Sequence, residues 1–400
     1  MNEGLKVYSA KLSEALAQAG AFVRVLGFGS TEATPKNCAR LEWASVPGDR
    51  RSQVIALLSR LPLTAAVDST NEYRALLEQQ LRESWDAIIF DSYGAGWALD
   101  RCKRYCASKL GARTILVHVS HNHEEVLWRS MAQQAAAGLP KRIALWQNYY
   151  KVRGLERRLL REVDLVSAIT SEDEQAIRAH RADRNTLTLT PGYDGPVAPP
   201  RVIDASVPRR VVIVGSFQWV VKQENLSRFV QHADAKFAAH GIELVVAGDV
   251  PDDLKKTLLA NSRATRFKGF VSELGPFLAQ ARIAIVPELI GGGFKLKFLD
   301  YIFGRAPVAT VDAAAAGLPT RLREDLITSA DFAGLTSAII DHIDRLDQLN
   351  RLHTAAFEQA RSLYRWEDRG LHLQQRIAEL QEMRSTPPAR SSRAAAAASA

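Results

Sequence analysis

The chain has 400 residues, of which 46% are hydrophobic and 24% charged, and its formal net charge is +8. This composition is typical of a folded protein of two domains and excludes an intrinsically disordered chain. Runs of about 18 uninterrupted apolar residues, which a transmembrane helix needs, are missing, and three cysteines are too few for a disulfide framework.

Helical and strand patterns alternate through the first half of the chain. Apolar residues spaced three and four apart predict a helix over residues 5–19. Short apolar runs predict strands at residues 22–27, 87–90, 114–119, 165–168 and 187–189. Helical stretches lie between these runs, so we expect parallel strands joined by crossover helices.

The second half repeats this alternation after a proline-rich segment, residues 191–208, which predicts a linker. Strands are predicted at residues 210–214, 243–247, 266–269, 283–286 and 307–310. We therefore expect an α/β protein with two domains, residues 1–195 and 196–362, that face each other across a cleft. The low-complexity tail, residues 384–400, is predicted to be disordered.

The segment between residues 286 and 300 carries the most information about function. A buried strand ends there, a run of glycines follows, and a helix is predicted to begin with two lysines and an aspartate. The residues concerned are Gly291, Gly292, Gly293, Lys295, Lys297 and Asp300. Glycines let backbone N–H groups approach an anion, lysines bind phosphate oxygens, and a carboxylate accepts hydrogen bonds from ribose hydroxyls. The pattern indicates a nucleoside diphosphate site; the alternative is a tight turn that only packs strand against helix.

Two more segments end predicted strands with residues suited to this chemistry. Gly215 follows the first strand of the second half, and Lys222 is placed to reach phosphate from the opposite side, although alone it is typical of a surface lysine. In the first half, His121 follows a strand. An imidazole at that position can hydrogen-bond sugar hydroxyls or a developing charge.

No metal ion is expected at the two groups of residues that resemble metal ligands. Cys102 and Cys106 lie four apart on a predicted helix without a further His or Cys nearby, which predicts buried thiols. The spacing of His121 and His123 differs from the His-Glu-x-x-His pattern that places two imidazoles on one helix face. His118, inside the strand, is predicted to be a core residue.

The positive charge favours a polyanionic partner or an anionic membrane surface. Seven basic residues fall between residues 141 and 161, interleaved with Trp146, Tyr149 and Tyr150. This stretch is interpreted either as a solvated helix face or as a peripheral contact with the inner face of a membrane. Nucleic acid is not an expected partner, because zinc-finger and RNA-binding motifs are missing. The N-terminus lacks the basic and apolar regions of a secretory signal, so a cytoplasmic location is expected.

Taken in order, these segments resemble the GT-B glycosyltransferases of family 4. The resemblance covers about residues 1–383 and rests on the stretches at residues 121–124, 156–164, 191–194, 214–217, 286–310 and 364–366. It implies two Rossmann-like domains facing a cleft and a last helix, residues 363–383, that crosses back to the first domain. It also implies that the second domain binds a nucleotide sugar and that the protein needs no cofactor.

The resemblance assigns roles to individual residues. His121 is implied to face the transferred sugar, with retention of anomeric configuration, and Lys222 and Lys297 to contact the diphosphate; these three are the candidate catalytic residues. The implied donor-binding residues are Gly215, Phe217, Gly291, Gly292, Gly293, Phe294, Lys295 and Asp300. The implied acceptor-side residues are Gly4, in an expected loop, and Asn122.

The activity implied is transfer of a sugar from a nucleotide-diphosphate sugar to a glycan or lipid-linked acceptor, as in polysaccharide biosynthesis. An inactive binding or accessory protein of the same fold is the first alternative. Gly292 stands where the family commonly has a glutamate, and the strand that the family has ahead of its acceptor loop does not precede Gly4. A nucleotide-sugar epimerase is the second alternative.

Overall fold

The structure is a computed structural model that describes residues 3–29, 39–134, 138–181, 183, 185–291 and 293–385. Gly292, Cys38 and the predicted tail from residue 386 onward lie outside the described residues. The described chain forms two α/β domains with parallel sheets, which confirms the predicted fold class.

The first domain contains two separate parallel sheets. The smaller pairs β1 (Val23–Gly27) with β2 (Leu41–Ser45). The larger has the order β3-β4-β5-β6, formed by β3 (Ala87–Asp91), β4 (Ile115–Ser120), β5 (Leu165–Ala168) and β6 (Thr186–Thr188). Strands β4 and β5 are buried along their whole length because side chains cover both faces of the sheet.

The second domain contains one six-stranded parallel sheet with the order β12-β11-β10-β7-β8-β9. Its strands are β7 (Arg210–Val214), β8 (Glu243–Ala247), β9 (Thr265–Gly269), β10 (Ile283–Val286), β11 (Val308–Val311) and β12 (Ile327–Ser329). The chain moves outward from β7 in one direction and from β10 in the other. Neighbouring strands β7 and β10 therefore form the topological switch point, where open α/β sheets bind their ligands.

Helices flank the sheets of both domains. Those that precede the linker are α1 (Glu3–Gln18), α2 (Gln53–Leu57), α3 (Leu63–Asp68), α4 (Asn71–Gln80), α5 (Leu99–Cys106), α6 (Glu124–Gln134), α7 (Leu139–Glu162) and α8 (Ser171–Arg178). Those that follow are α9 (Val220–Ala239), α10 (Asp252–Leu259), α11 (Leu274–Ala279), α12 (Lys297–Phe303), α13 (Thr320–Glu324), α14 (Phe332–His342), α15 (Leu346–Leu363) and α16 (Trp366–Ser385). Among the described residues, no helix combines the length and the apolar character needed to cross a membrane.

The last helix, α16, packs on the first domain although it follows the second in sequence. Its Leu373, Ile377 and Leu380 share a buried cluster with Tyr8 of α1 and Ile115 of β4. These contacts, together with hydrogen bonds from the Arg369 guanidinium to the main chain and hydroxyl of Thr190, hold α16 on the first domain.

Gly4 lies inside α1, so the expected acceptor loop at this position is wrong. The amphipathic period that buries Tyr8, Leu12, Ala15 and Leu16 begins within the first turns of α1, and the helix extends back to Glu3. An acceptor-side role for Gly4 stays a prediction.

Candidate functional site

The candidate site lies at the carboxyl ends of β7 and β10. Gly215 directly follows β7, and a Cβ atom on it would stand 3.5 Å from the Lys297 ammonium. A pocket opens here between the turn after β7, helix α9 and the turn after β10. Its lining residues are Ile213, Phe217, Lys222, Asn225, Leu226, Pro287, Glu288 and Lys297. The structure therefore brings together Gly215, Phe217, Lys222 and Lys297, which the sequence placed in two separate segments.

A buried ion pair occupies the centre of this pocket. The Lys297 ammonium lies 2.6 Å from a Glu288 carboxylate oxygen, and the two side chains are only 15% and 9% exposed. Burial raises the pKa of Glu288, but Lys297, Lys295 and Lys222 outweigh burial and hold it below its ordinary value. The carboxylate is thus ionised at neutral pH and surrounded by three cations, so the pocket already holds one anionic group.

Glycine backbone geometry shapes the turn after β10. Gly291 and Gly293 have φ angles of +128° and +70°, which residues with side chains rarely adopt. The Lys295 ammonium donates to the Gly293 carbonyl oxygen at 3.0 Å, and burial lowers the pKa of Lys295. The Lys295 ammonium therefore lies against the backbone of the turn that carries it.

Two residues that the sequence analysis missed hold this site in shape. The Asn225 side chain, buried on α9, donates to the Ile290 carbonyl at 2.8 Å and accepts from the Ile290 N–H at 3.1 Å. Gly248 follows β8 with φ +115°, and a Cβ atom there would overlap the Gly215 carbonyl oxygen. The position of Gly248 directly after a predicted strand could have indicated its role in the turn. The sequence around Asn225 contains no pattern that indicates its role.

Asp300 lies one turn into α12, beside the linker between the domains. Burial raises the pKa of Asp300 to about 6, although Lys297 and a hydrogen bond with Tyr193 act in the opposite direction. The Tyr193 ring stacks on Phe303 with centroids 4.2 Å apart. A carboxylate that titrates near neutrality and stands beside the pocket is suited to reversible hydrogen bonding with ligand hydroxyls.

In the first domain, His121 forms a close pair with Asp91. Its Nε2 lies 2.6 Å from an Asp91 carboxylate oxygen, and Tyr8 meets the imidazole edge-on at 5.1 Å. Burial raises the pKa of Asp91, but the hydrogen bond with His121 holds it below its ordinary value. The His121 Nδ1 atom is buried without a hydrogen-bond partner. Asp91, the last residue of the strand next to β4, was not predicted.

The first-domain loop touches the glycine turn of the second domain. A Cβ atom on Gly293 would lie 2.5 Å from the Asn122 amide oxygen and 3.6 Å from the His121 carbonyl oxygen. Phe294 packs against the apolar cores of both domains. A Glu172 carboxylate adds a second bridge, since it accepts from the Gly317 N–H at 3.1 Å. The candidate residues of the two domains therefore face one closed cleft.

The predictions of a buried thiol at Cys102 and of a core histidine are confirmed, whereas Cys106 is only partly buried. Cys102 is buried and Cys106 half-buried, and burial raises the pKa of both thiols. The His118 imidazole is buried, its Nδ1 lies 3.1 Å from the Phe90 carbonyl oxygen, and burial lowers its pKa to about 4.

One group of described residues has metal-ligand geometry. His123, Glu125 and Glu156 each offer an atom within 4.8 Å of the others. Glu156 already accepts the backbone N–H groups of Glu124 and Glu125, at 2.8 and 2.7 Å. Glu125 already forms a two-point ion pair with Arg157. The carboxylates are thus engaged within the protein, and the expectation of a metal-free protein stays a prediction.

Most basic side chains of α7 are engaged with the first domain itself. Arg153 and Arg157 pair with Glu125, Arg158 pairs with Asp100 and Glu162, and Lys151 donates to the Leu57 carbonyl oxygen. These contacts support the interpretation of a solvated helix face. A peripheral contact with a membrane stays a prediction.

Fold and site together define a class: a protein of two Rossmann-like domains with a lysine-containing pocket at the switch point of the second sheet. Two family models match this chain in tandem. A "Glycosyl transferase 4-like domain" matches residues 3–192, and "Glycosyl transferases group 1" matches residues 208–345. The chain belongs to the group 1, family 4-like glycosyltransferases and has the GT-B fold.

Solved structures of this fold are similar over most of the chain. Sucrose-phosphate synthase from Thermosynechococcus elongatus shares 17% identity, with 94% of this chain and 93% of that chain covered and a TM-score of 0.66. Anabaena Alr3699/HepE, in complex with UDP and glucose, shares 13% identity, with 93% and 96% covered and a TM-score of 0.58. TarM of S. aureus shares 11% identity, with 79% and 57% covered and a TM-score of 0.56. The chain thus spans 57% of the length of TarM. No curated protein sequence matches it significantly.

Proposed function

We propose that this chain transfers a sugar from a nucleotide-diphosphate sugar to a glycan or lipid-linked acceptor. The observation that carries the proposal is the convergence of Lys222 and Lys297 on one pocket at the switch point, beside a glycine turn whose Gly293 meets the first-domain loop at Asn122. The nucleotide would bind at the switch point of the second domain. Asp300 would accept hydrogen bonds from the ribose, and Gly215, Phe217 and Phe294 would line the donor site.

In the proposed mechanism the lysines act on the leaving group. Negative charge grows on the diphosphate as the bond to the sugar breaks, so ammonium groups fixed beside it stabilise the transition state more than the ground state. The same electrostatic task is performed by metal ions in other transferases. We infer a metal-independent reaction with retention of configuration, as expected from the family resemblance. His121, held by Asp91, would contact the transferred sugar.

A panel of nucleotides tests the donor site directly. We expect UDP, GDP or ADP at 1 mM to raise the melting temperature of the wild-type protein, since a ligand at 100 times its Kd adds about 2.7 kcal/mol to the free energy of unfolding. The exposed-lysine variant Lys256→Ala on α10 should show the same shift. If no nucleotide or nucleotide sugar stabilises the protein, the proposed donor site is wrong.

Product analysis separates the proposal from its alternatives. Incubation with the stabilising nucleotide sugar should release nucleoside diphosphate only when an acceptor is present. Donor binding without turnover on a broad set of glycan acceptors would favour an inactive accessory protein. Isomerisation of the donor without an acceptor would favour an epimerase.

The raised pKa of Asp300 predicts opposite effects of pH on binding and on stability. Its folded pKa of about 6 exceeds the ordinary value of about 3.9, so the folded state binds this proton more tightly. The contribution of Asp300 to the free energy of unfolding therefore increases as pH falls from 6 to 4. Nucleotide affinity should instead weaken below pH 6, because a protonated carboxyl loses acceptor capacity.

Calorimetric titration of UDP between pH 5 and 8 checks this expectation. The nucleotide phosphate itself titrates near pH 6, so Asp300→Asn serves as the matched control. The Asp300→Asn variant should bind UDP weakly at every pH. The pH dependence of its affinity should arise only from protonation of the nucleotide phosphate. Parallel curves for the two proteins would contradict a ribose-binding role for Asp300.

A further inference from the structure

Three arginines of the first domain lie at the edge of its sheets where the parallel strands end. Arg50 and Arg51 lie in the segment that follows β2, and Arg74 lies in the first turn of α4. They belong to the other domain from the residues that line the pocket at the switch point. The chemistry of these arginines is therefore separate from that of the candidate donor site.

The direction of α4 places its amino end at this edge. In the first turn of α4, the Tyr73 hydroxyl donates to the Leu26 carbonyl oxygen, near the carboxyl end of β1, at 2.6 Å. In the last turn, the Gln80 side chain accepts from the Arg24 guanidinium, near the start of β1, at 2.6 Å. Helix α4 therefore runs antiparallel to β1, and Arg74 lies at the end of the strands where open α/β sheets bind ligands.

Two of the three guanidinium groups converge on one main-chain oxygen. Arg51 Nη2 donates to the Ser69 carbonyl oxygen at 3.1 Å, and Arg74 Nε donates to the same oxygen at 3.4 Å. Among the described residues, no carboxylate forms an ion pair with either of these two guanidinium groups. Like charges at this separation repel each other, and a neutral carbonyl compensates them less than an anion would. The pair is therefore suited to bind an oxyanion.

Arg50, the third arginine, is already compensated within the protein. Its Nε lies 2.8 Å from an Asp68 carboxylate oxygen. Burial raises the pKa of Asp68, and the Arg50 guanidinium opposes that shift. The excess positive charge of the group therefore belongs to Arg51 and Arg74.

Aromatic rings hold two of the guanidinium groups in place. The Arg74 guanidinium lies 5.5 Å from the centre of the Trp97 ring. The Arg50 guanidinium lies 5.2 Å from the centre of the Phe28 ring. Tyr73 meets both rings edge-on, at 4.9 and 5.6 Å between centroids. Such contacts restrict the orientation of an arginine, so that ordering the side chain on binding a ligand costs less entropy.

The arginines lie close to the first-domain residues of the candidate active site. Burial raises the pKa of Tyr73, and the negative charges of Asp68 and Asp91 add to this effect. Asp68 is the partner of Arg50, and Asp91 is the partner of His121. Because both carboxylates act on the one ring, the arginine group and the His121 pair share the same part of the sheet edge.

We propose that Arg51 and Arg74 bind a phosphate group carried by the acceptor, which is then a phosphorylated sugar or glycan. A guanidinium presents its N–H donors in a planar fork that matches the oxygens of a phosphate. Both arginines are partly buried, and a recess of this kind fits a compact phosphate better than the surface of a membrane. The phosphate takes no part in the transfer itself. It holds the acceptor at the sheet edge that carries His121.

This inference rests on the proposed transfer function, because it assigns the acceptor of that reaction to a chemical class. Calorimetric titration tests it without measuring turnover. The probes are glucose 1-phosphate, glucose 6-phosphate and glycerol 3-phosphate, each compared with the parent glucose or glycerol, and UDP is present to occupy the donor pocket. We expect at least one phosphate ester to bind about tenfold or more tightly than its parent, because hydrogen bonds to a charged group are the strong ones.

Variants locate the phosphate on the arginine pair. Arg51→Gln combined with Arg74→Gln should abolish the difference between the ester and its parent. The matched control is Arg60→Gln combined with Arg82→Gln, which removes two charges from exposed arginines of the same domain and should keep the difference. Arg51→Lys combined with Arg74→Lys retains both charges without the planar fork, so we expect it to recover part of the affinity.

Hydrogen exchange in the wild-type protein gives a measurement that needs no variant. The phosphate ester that binds should slow the exchange of amides in residues 69–74, since a ligand that binds only the folded state protects the segment that it contacts. The parent alcohol should leave these amides unchanged. This result distinguishes a phosphate on the arginine pair from a phosphate on the lysines of the second domain.

Three results would overturn the proposal. The first is equal affinity for every ester and its parent, and the second is unchanged ester binding in the double glutamine variant. The third is binding to vesicles of phosphatidylglycerol that requires both arginines while no ester binds, because the pair would then contact a membrane. Nucleotide melts test the donor site separately, so a failure of this subsite is distinguishable from a failure of the proposed function.

Discussion

Replacing Lys297 by alanine is expected to abolish stabilisation by nucleotides and to lower kcat/KM by about 10²–10³-fold, the loss typical for one fixed group that stabilises a leaving or developing anion. The variant should also be less stable without ligand. Glu288 would remain buried and ionised beside fewer cations, and breaking a buried pair costs about 3–5 kcal/mol. Thermal melts with and without nucleotide, and initial rates, measure the two effects.

A double variant separates these effects. Glu288→Gln combined with Lys297→Ala removes both charges, so stability should recover most of the loss while nucleotide binding stays absent. Glu288→Gln alone should bind nucleotides at least as tightly as wild type, because the carboxylate competes with the diphosphate for the Lys297 ammonium. If the double variant binds nucleotides normally, Lys297 is a structural residue and has no role in the donor site.

Gly248→Ala is expected to destabilise the second domain by about 3 kcal/mol or more, from backbone strain and from overpacking, which cost roughly 1–3 kcal/mol each. The residue adopts φ +115°, and a Cβ atom would overlap the Gly215 carbonyl oxygen, which is main chain and has no rotamer to escape to. The clash would move the turn after β7 away from Lys297. We therefore expect a lower melting temperature and weaker nucleotide binding together.

Gly154→Ala provides the matched control. Gly154 lies exposed inside α7, and a Cβ atom there would meet nothing within 4 Å. Alanine at a helix interior is favoured over glycine by roughly 0.5–1 kcal/mol, so this variant should melt slightly higher than wild type. Unchanged stability in Gly248→Ala would show that the turns after β7 and β8 move apart freely.

The contact of Asn122 with the glycine turn places the first-domain loop directly against the turn after β10. The Glu172 carboxylate, which accepts from the Gly317 N–H, forms a second contact of this kind. These contacts hold the two domains in one arrangement. Substrate exchange in a cleft enzyme requires such contacts to open.

Local sequence pattern determined most of the strands. The runs at residues 165–168, 210–214, 243–247 and 283–286 became β5, β7, β8 and β10 with the predicted bounds, because short, largely apolar runs bounded by turn residues are typical of buried parallel strands. Strands β2 and β12 were not predicted. Their sequences, LEWAS and ITS, mix polar with apolar residues, and pairing at the side of a sheet decides their conformation.

Tertiary structure alone decided which side chains meet. The glycine run and its lysines were visible in the sequence because phosphate chemistry needs those residue types close together in the chain. The pair His121–Asp91 and the clamp by Asn225 were not. Each joins segments that meet only once the sheet order is fixed, and sheet order depends on long-range packing that local periodicity does not encode.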